Sequence, residues 1–97
     1  MKIDLNAKLL NFKEEEIKDE KGEAIEARTI IANALVAEDR EHPLTAEKKN
    51  EAFQIGLKLY SKEPDFTVNQ LAFMKERVGL FYNALIYGRI CEIIEKK

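Results

Sequence analysis

The chain has 97 residues, 45% of them apolar and 35% charged, with a formal net charge of −2. That is enough for one domain, residues 1–97, with a single modest core, and its balance is that of a soluble folded protein rather than a disordered one. The slight acidity offers no long-range attraction for nucleic acid or an anionic membrane, so neither is expected as a partner. The longest stretch without a charged side chain, Val78 to Gly88, falls well short of the ~20 residues of a membrane span. One cysteine, Cys91, excludes an internal disulfide and fits a reducing cytoplasm.

At the N-terminus, Ile3, Leu5, Ala7 and Leu9 alternate with polar residues, a strand's period of two. The stretch has no long apolar core and does not read as a secretory leader. Residues 12–18 and 23–27 flank Asp19, Glu20, Lys21 and Gly22, a polar turn closed by a glycine that suits the left-handed position of a bulged hairpin. Ile17 and Ile25 are its core-facing candidates, and Glu14, Glu15 and Glu16 leave much of it in water. A helix ending at Gly22 competes, because Glu and Lys are good helix formers. No internal repeat is read along the chain.

From Ala27 the period becomes helical: Ile30, Ile31, Ala34 and Leu35 share a face, and the segment runs out near Ala37. A polar connection with Pro43 leads to Thr45, which caps a helix with Glu47 in its first turn. There Ala52, Phe53, Ile55, Leu57, Leu59 and Tyr60 spread over more than a third of the surface. Gly56 lies among them at a helix-propensity cost of ~1 kcal/mol, which close packing of a neighbouring helix would explain.

After a loop with Pro64, Thr67 and Gln70 spell a capping box, with Phe66 and Leu71 as the hydrophobic staple. In the helix that follows, Leu71, Met74, Val78 and Tyr82 form one stripe with Phe81 beside it, and Phe73 with Leu80 forms a second. Asn83 breaks the pattern before a last helix with Ala84, Ile86, Tyr87, Ile90, Cys91, Ile93 and Ile94 on one half. The expected fold is α+β and predominantly helical, with a short N-terminal strand and β-hairpin (residues 1–28) packed on a four-helix core (residues 29–97). The strands are expected to cover the Phe73 and Leu80 stripe; left bare, it would be an interface.

The inventory of reactive groups is nearly empty. His42 is the only histidine and falls in a polar loop, and Cys91 falls on an apolar helix face where an inert buried thiol is expected. Zinc and other transition metals lack ligands at motif spacing, and the glycines form no phosphate loop. Glu14 to Glu16, with Asp19 and Glu20, read as a solvated charged run, as do the short basic pairs Lys48–Lys49 and Lys96–Lys97. No catalytic residue, cofactor, metal or small-molecule substrate is expected, and the chain is read as not an enzyme. The candidate interface residues are Phe73, Leu80, Arg77, Arg89 and Tyr87, the two arginines offering specific contacts to carboxylates.

The order of these features resembles a group of small bacteriophage and prophage proteins of similar length. The residues that carry the likeness are Asp4 to Leu10, the Thr-Ile-Ile-x-Asn-Ala-Leu run Thr29 to Leu35, Leu57 to Tyr60, and Arg77 to Ile94 with Gly79 and Gly88. Where that group often has Gly-Pro before its last helix, this chain has Asn83 and Ala84. The resemblance carries over no catalytic or binding residue. It implies an accessory factor in virion (head or tail) assembly, similar to a tail-assembly chaperone, working in the host bacterium's cytoplasm as a homo-oligomer or on a phage structural protein. The alternative is a phage-encoded inhibitor or regulator that binds a host protein through the glutamate-rich surface.

Overall fold

Four helices follow a non-helical N-terminal quarter in the computed structural model, which describes residues 1–95: α1 (Ala27–Val36), α2 (Ala46–Leu59), α3 (Val68–Phe81) and α4 (Ala84–Glu95). The basic pair Lys96–Lys97 lies outside the described residues. Helix α1 is central and packs against both α2 and α3, while α4 packs on α3. Its Ala27, Ile30, Ile31, Ala34 and Leu35 are all buried, the spacing of a single helical face.

The helix ends are set by local chemistry. Thr45 accepts a hydrogen bond from the Lys48 amide at the start of α2. At α3 both halves of the capping box form, Gln70 N–H to the Thr67 hydroxyl at 3.1 Å and Thr67 N–H to the Gln70 side chain at 2.9 Å. Asn83 starts α4 by accepting from the Ile86 amide at 3.0 Å. Helix α1 lacks a side-chain cap, and its first amides are satisfied from afar, Ala27 N–H by the Ala7 carbonyl (2.9 Å) and Arg28 N–H by Leu5 (3.1 Å). Two arginines close helix C-termini. Arg28 Nε donates to the Leu59 carbonyl of α2 at 2.8 Å, and the Arg77 guanidinium donates to Ala37 just past α1.

The N-terminal region departs from the strand and hairpin expected there. No regular strand forms among the described residues; the antiparallel bridges Lys8–Glu26, Leu10–Glu16 and Lys18–Ala24 are isolated. They link three short segments, each to both of the others. At the centre is a closed ring of backbone bonds: Leu9 N–H to Ile25 C=O (2.9 Å), Ile25 N–H to Ile17 C=O (3.0 Å), and Ile17 N–H to Leu9 C=O (2.9 Å).

The ring residues stand eight apart, and so do the turns between them. Asn11 Oδ1 accepts from the amides of Lys13 and Glu15, and Asp19 Oδ1 accepts from those of Lys21 and Glu23. Glu14 and Gly22 occupy the same left-handed position, with φ of 64° and 82°. The structure therefore contains an eight-residue repeat, Asn-x-Lys-Glu-Glu followed by Asp-x-Lys-Gly-Glu, where the sequence reads none. A turn every eight residues reverses the chain before a strand can lengthen, which is why bridges stand in place of a hairpin. Leu5 and Leu9 enter the helical core, with Ile3, Ile17 and Ile25 partly buried against it.

Candidate functional site

The groups with the most chemical potential are dispersed. His42 is half-buried, its ring edge-on to Phe81 at 5.9 Å and its Nδ1 3.0 Å from Asp39. Lost hydration works to raise the Asp39 carboxyl, but hydrogen bonds from the His42 amide and ring and the Glu41 amide hold it below its ordinary range. Cys91 is partly exposed rather than buried. A hydrogen bond with Cys91 is the main cause pushing the Tyr87 hydroxyl above its ordinary value. On the same face Lys75 binds Glu95 at 2.9 Å. No metal-binding group of His, Cys, Asp or Glu exists among the described residues.

A hollow of about 710 Å³, open to solvent, lies between the third N-terminal segment and α1. Of its charged side chains, Lys8 pairs with Glu26 at 2.6 Å and Asp19 accepts from the amides of its own turn, while Glu23 also faces the hollow. The Lys8 hydrogen bond holds the Glu26 carboxyl below its ordinary range.

The five interface candidates do not assemble into one surface. Phe73 is buried at 6% exposure, with the Lys48 ammonium of α2 5.3 Å above its ring, whereas Leu80 remains 39% exposed. The covering on this side of α3 comes from the connection and the start of α2, through Ala37, His42 and Lys48. The hydrogen bonds of the N-terminal segments, expected to lie there, run to the start of α1, to Arg89 of α4 and to Phe66. Arg77 is 4% exposed, donates to Ala37, and stacks over Phe81 at 4.9 Å, with its Nε lacking a partner. Arg89 ties α4 to the N-terminal region by donating to the Leu10 and Asn11 carbonyls, and it pairs with Glu14 and Glu92. Tyr87 lies over Gly79, where an added Cβ would come within 3.1 Å of the ring. Both arginines therefore serve the fold.

An apolar surface does remain open, on α2. Ala52, Ile55 and Leu59 turn inward; Phe53, Leu57 and Tyr60, at helical spacings of four and three, are 61%, 55% and 67% exposed. Gly56 lies between them, with nothing within 4 Å of where its Cβ would be. No helix of this chain packs there, contrary to the reason the sequence suggests for that glycine. Val36, at the end of α1 and 79% exposed, joins Phe53, Leu44 and Ala52 around a hollow of about 240 Å³. The signal for this face was present as an apolar arc too wide for one contact, and the excess on α3 masked it.

No family model matches the chain, and no curated protein and no solved structure matches it either. Among the described residues no helix is long and apolar enough to cross a membrane.

Proposed function

We propose that the chain is a non-enzymatic accessory factor of virion assembly that acts in the host cytoplasm by protein–protein contact through the outer face of α2. The observation that carries this reading is the run Phe53, Gly56, Leu57 and Tyr60, large apolar groups held in water around an open glycine. Contiguous exposed apolar surface of this kind marks interaction sites more often than chance exposure does. The phage setting rests on the sequence resemblance. The alternative acidic surface has less to support it, because Glu14 pairs with Arg89 and Glu16 with Lys18.

The test is co-expression with the head and tail structural proteins of the phage or prophage that encodes the chain. Co-purification of one of them, lost on Leu57→Lys with the helical circular dichroism unchanged, is the expected result. Capture of none, together with no effect on their solubility, would refute the assembly role.

A further inference from the structure

The α2 face carries the features of a self-complementary surface. Its hollow is bordered on α2 by Lys49, Ala52 and Phe53, and Ala52 lies four residues before Gly56; Tyr60, the most exposed side chain of the helix stripe, lies four residues after it. At ~1.5 Å rise per residue, knob and hollow are offset equally from the glycine, by ~6 Å each way.

We propose that the occupant of this face is a second copy of the chain, its α2 antiparallel to the first across a two-fold axis at Gly56. This rests on the protein-binding reading of the face and names its partner. The two-fold sets each Tyr60 over the hollow beside the other copy's Phe53, and the bare glycines let the helix axes approach closely.

Charge is compatible with the same direction. Along the stripe Ala46, Lys49, Phe53, Gly56, Leu57 and Tyr60, Lys49 is the only charged residue, and its ammonium lies 4.0 Å from the Glu38 carboxylate, which also lines the hollow. Antiparallel pairing separates the two Lys49 side chains by ~20 Å along the axis, beyond the screening length of ~8 Å at physiological salt. A parallel pair would bring them together. Opposed helix dipoles favour the same direction.

Area agrees as well. Phe53, Leu57, Tyr60 and Val36 together offer on the order of 400 Å² of apolar surface, typical of a functional patch. Two-fold pairing hides it on both copies, reaching roughly 1,000 Å² with flanking atoms, the lower end for a specific interface. The dimer is therefore expected to be reversible, so that a virion protein bound through the same face would replace the second copy.

Sedimentation velocity of the full chain over a concentration series tests this. Wild type is expected to form a dimer in the micromolar range, and Leu57→Lys or Tyr60→Ala to raise the dissociation constant by more than about tenfold, with helical content unchanged. In a Cys91→Ser background, Gly56→Cys is expected to oxidise to a disulfide-linked dimer, while Ala46→Cys, far from the axis, is not. A protein monomeric at several hundred micromolar, a dimer indifferent to Leu57→Lys, or equal cross-linking at both cysteine positions would overturn the proposal. A monomer that still captures a virion protein through Leu57 would refute the dimer alone. A Leu57-dependent dimer that captures none would refute only the assembly role.

Discussion

Helices α2 and α3 are each 14 residues long and each starts at a capped threonine, yet they meet their surroundings differently. Helix α3 buries Leu71, Phe73, Met74, Arg77 and Val78, on more than one side; α2 buries Ala52, Ile55 and Leu59, on one side only. The difference does not come from apolar content, since α2 has Phe53 and Leu57 to spare. It comes from the route of the chain between α1 and α2, which brings Ala37, His42 and Lys48 against α3 and leaves the far side of α2 uncovered. Surplus apolar surface thus marks a helix that needs neighbours, and the connections decide whether the chain supplies them.

The sharpest way to break that contrast is a matched pair of truncations. Met74→Ala, at a site with no exposure, should cost about 2–5 kcal/mol in urea unfolding. Leu57→Ala, measured at concentrations dilute enough to keep the chain monomeric, should stay within about 0.5 kcal/mol of wild type. Equal losses would mean that α2 is covered on both sides.

Next in size is Arg77→Ala, which leaves the Ala37 carbonyl unpaired and strips the stack over Phe81. A loss of about 2–3 kcal/mol is expected in the same assay, with faster amide exchange in the last turn of α1. An unchanged exchange rate there would show that Arg77 does not hold the connection against α3.

The caps offer a smaller contrast. Thr67→Ala removes one member of a reciprocal pair and should cost about 1 kcal/mol, whereas Thr45→Ala removes a single 3.2 Å bond and should cost about 0.5 kcal/mol. A larger effect at Thr45 would reverse the ranking of the two helix starts.

The smallest effect is electrostatic and concerns how α3 holds α4. The hydrogen bond to Glu95 raises the Lys75 ammonium above its ordinary 10.5. A cation whose folded pKa exceeds its unfolded one contributes fully below the unfolded value, and its contribution is lost as pH rises through the folded value. Stability should therefore fall on the alkaline side above about pH 10.5, and Lys75→Met should flatten that slope in pH-dependent thermal melts. An identical alkaline limb in the variant would remove Lys75 from the account.

Much of the helical architecture was legible from local signals. The Thr67–Gln70 box, the Thr45 cap and the Asn83 break each depend on side chains within three residues of the backbone groups they satisfy, so tertiary context need not be known. The N-terminal ring was less legible. Its period of eight is carried by Leu9, Ile17 and Ile25 and by the Asn11 and Asp19 turns, and its bonds run between backbone atoms that carry no sequence signature. Alternation at Ile3 to Leu9 and the glycine at Gly22 read as strand and hairpin for the same reason.

The sequence placed the candidate interface on α3 and α4, whereas the apolar face left open lies on α2. Phe73 and Leu80 stood out because α3 carries two apolar stripes, and Arg77 and Arg89 stood out as cations available for partners. In the fold Phe73 is covered, and both arginines are committed to carbonyls of distant segments. The open face contains Gly56, which costs helix propensity and has nothing among the described residues within 4 Å of where its Cβ would be.

By itself, then, the sequence determined four helices, their caps and breaks, the buried face of α1 and the Ile86, Ile90 and Ile94 line of α4, because those follow from periodicity and from contacts only a few residues apart. It did not determine the exposure of Ala84, Tyr87 and Cys91. The tertiary structure alone decided which surplus apolar stripe is covered and which is bare. That outcome depends on the paths of the 37–45 connection and the N-terminal ring, and on which carbonyls Arg28, Arg77 and Arg89 reach. Such choices are made by packing between segments separated by tens of residues, and no local pattern encodes them.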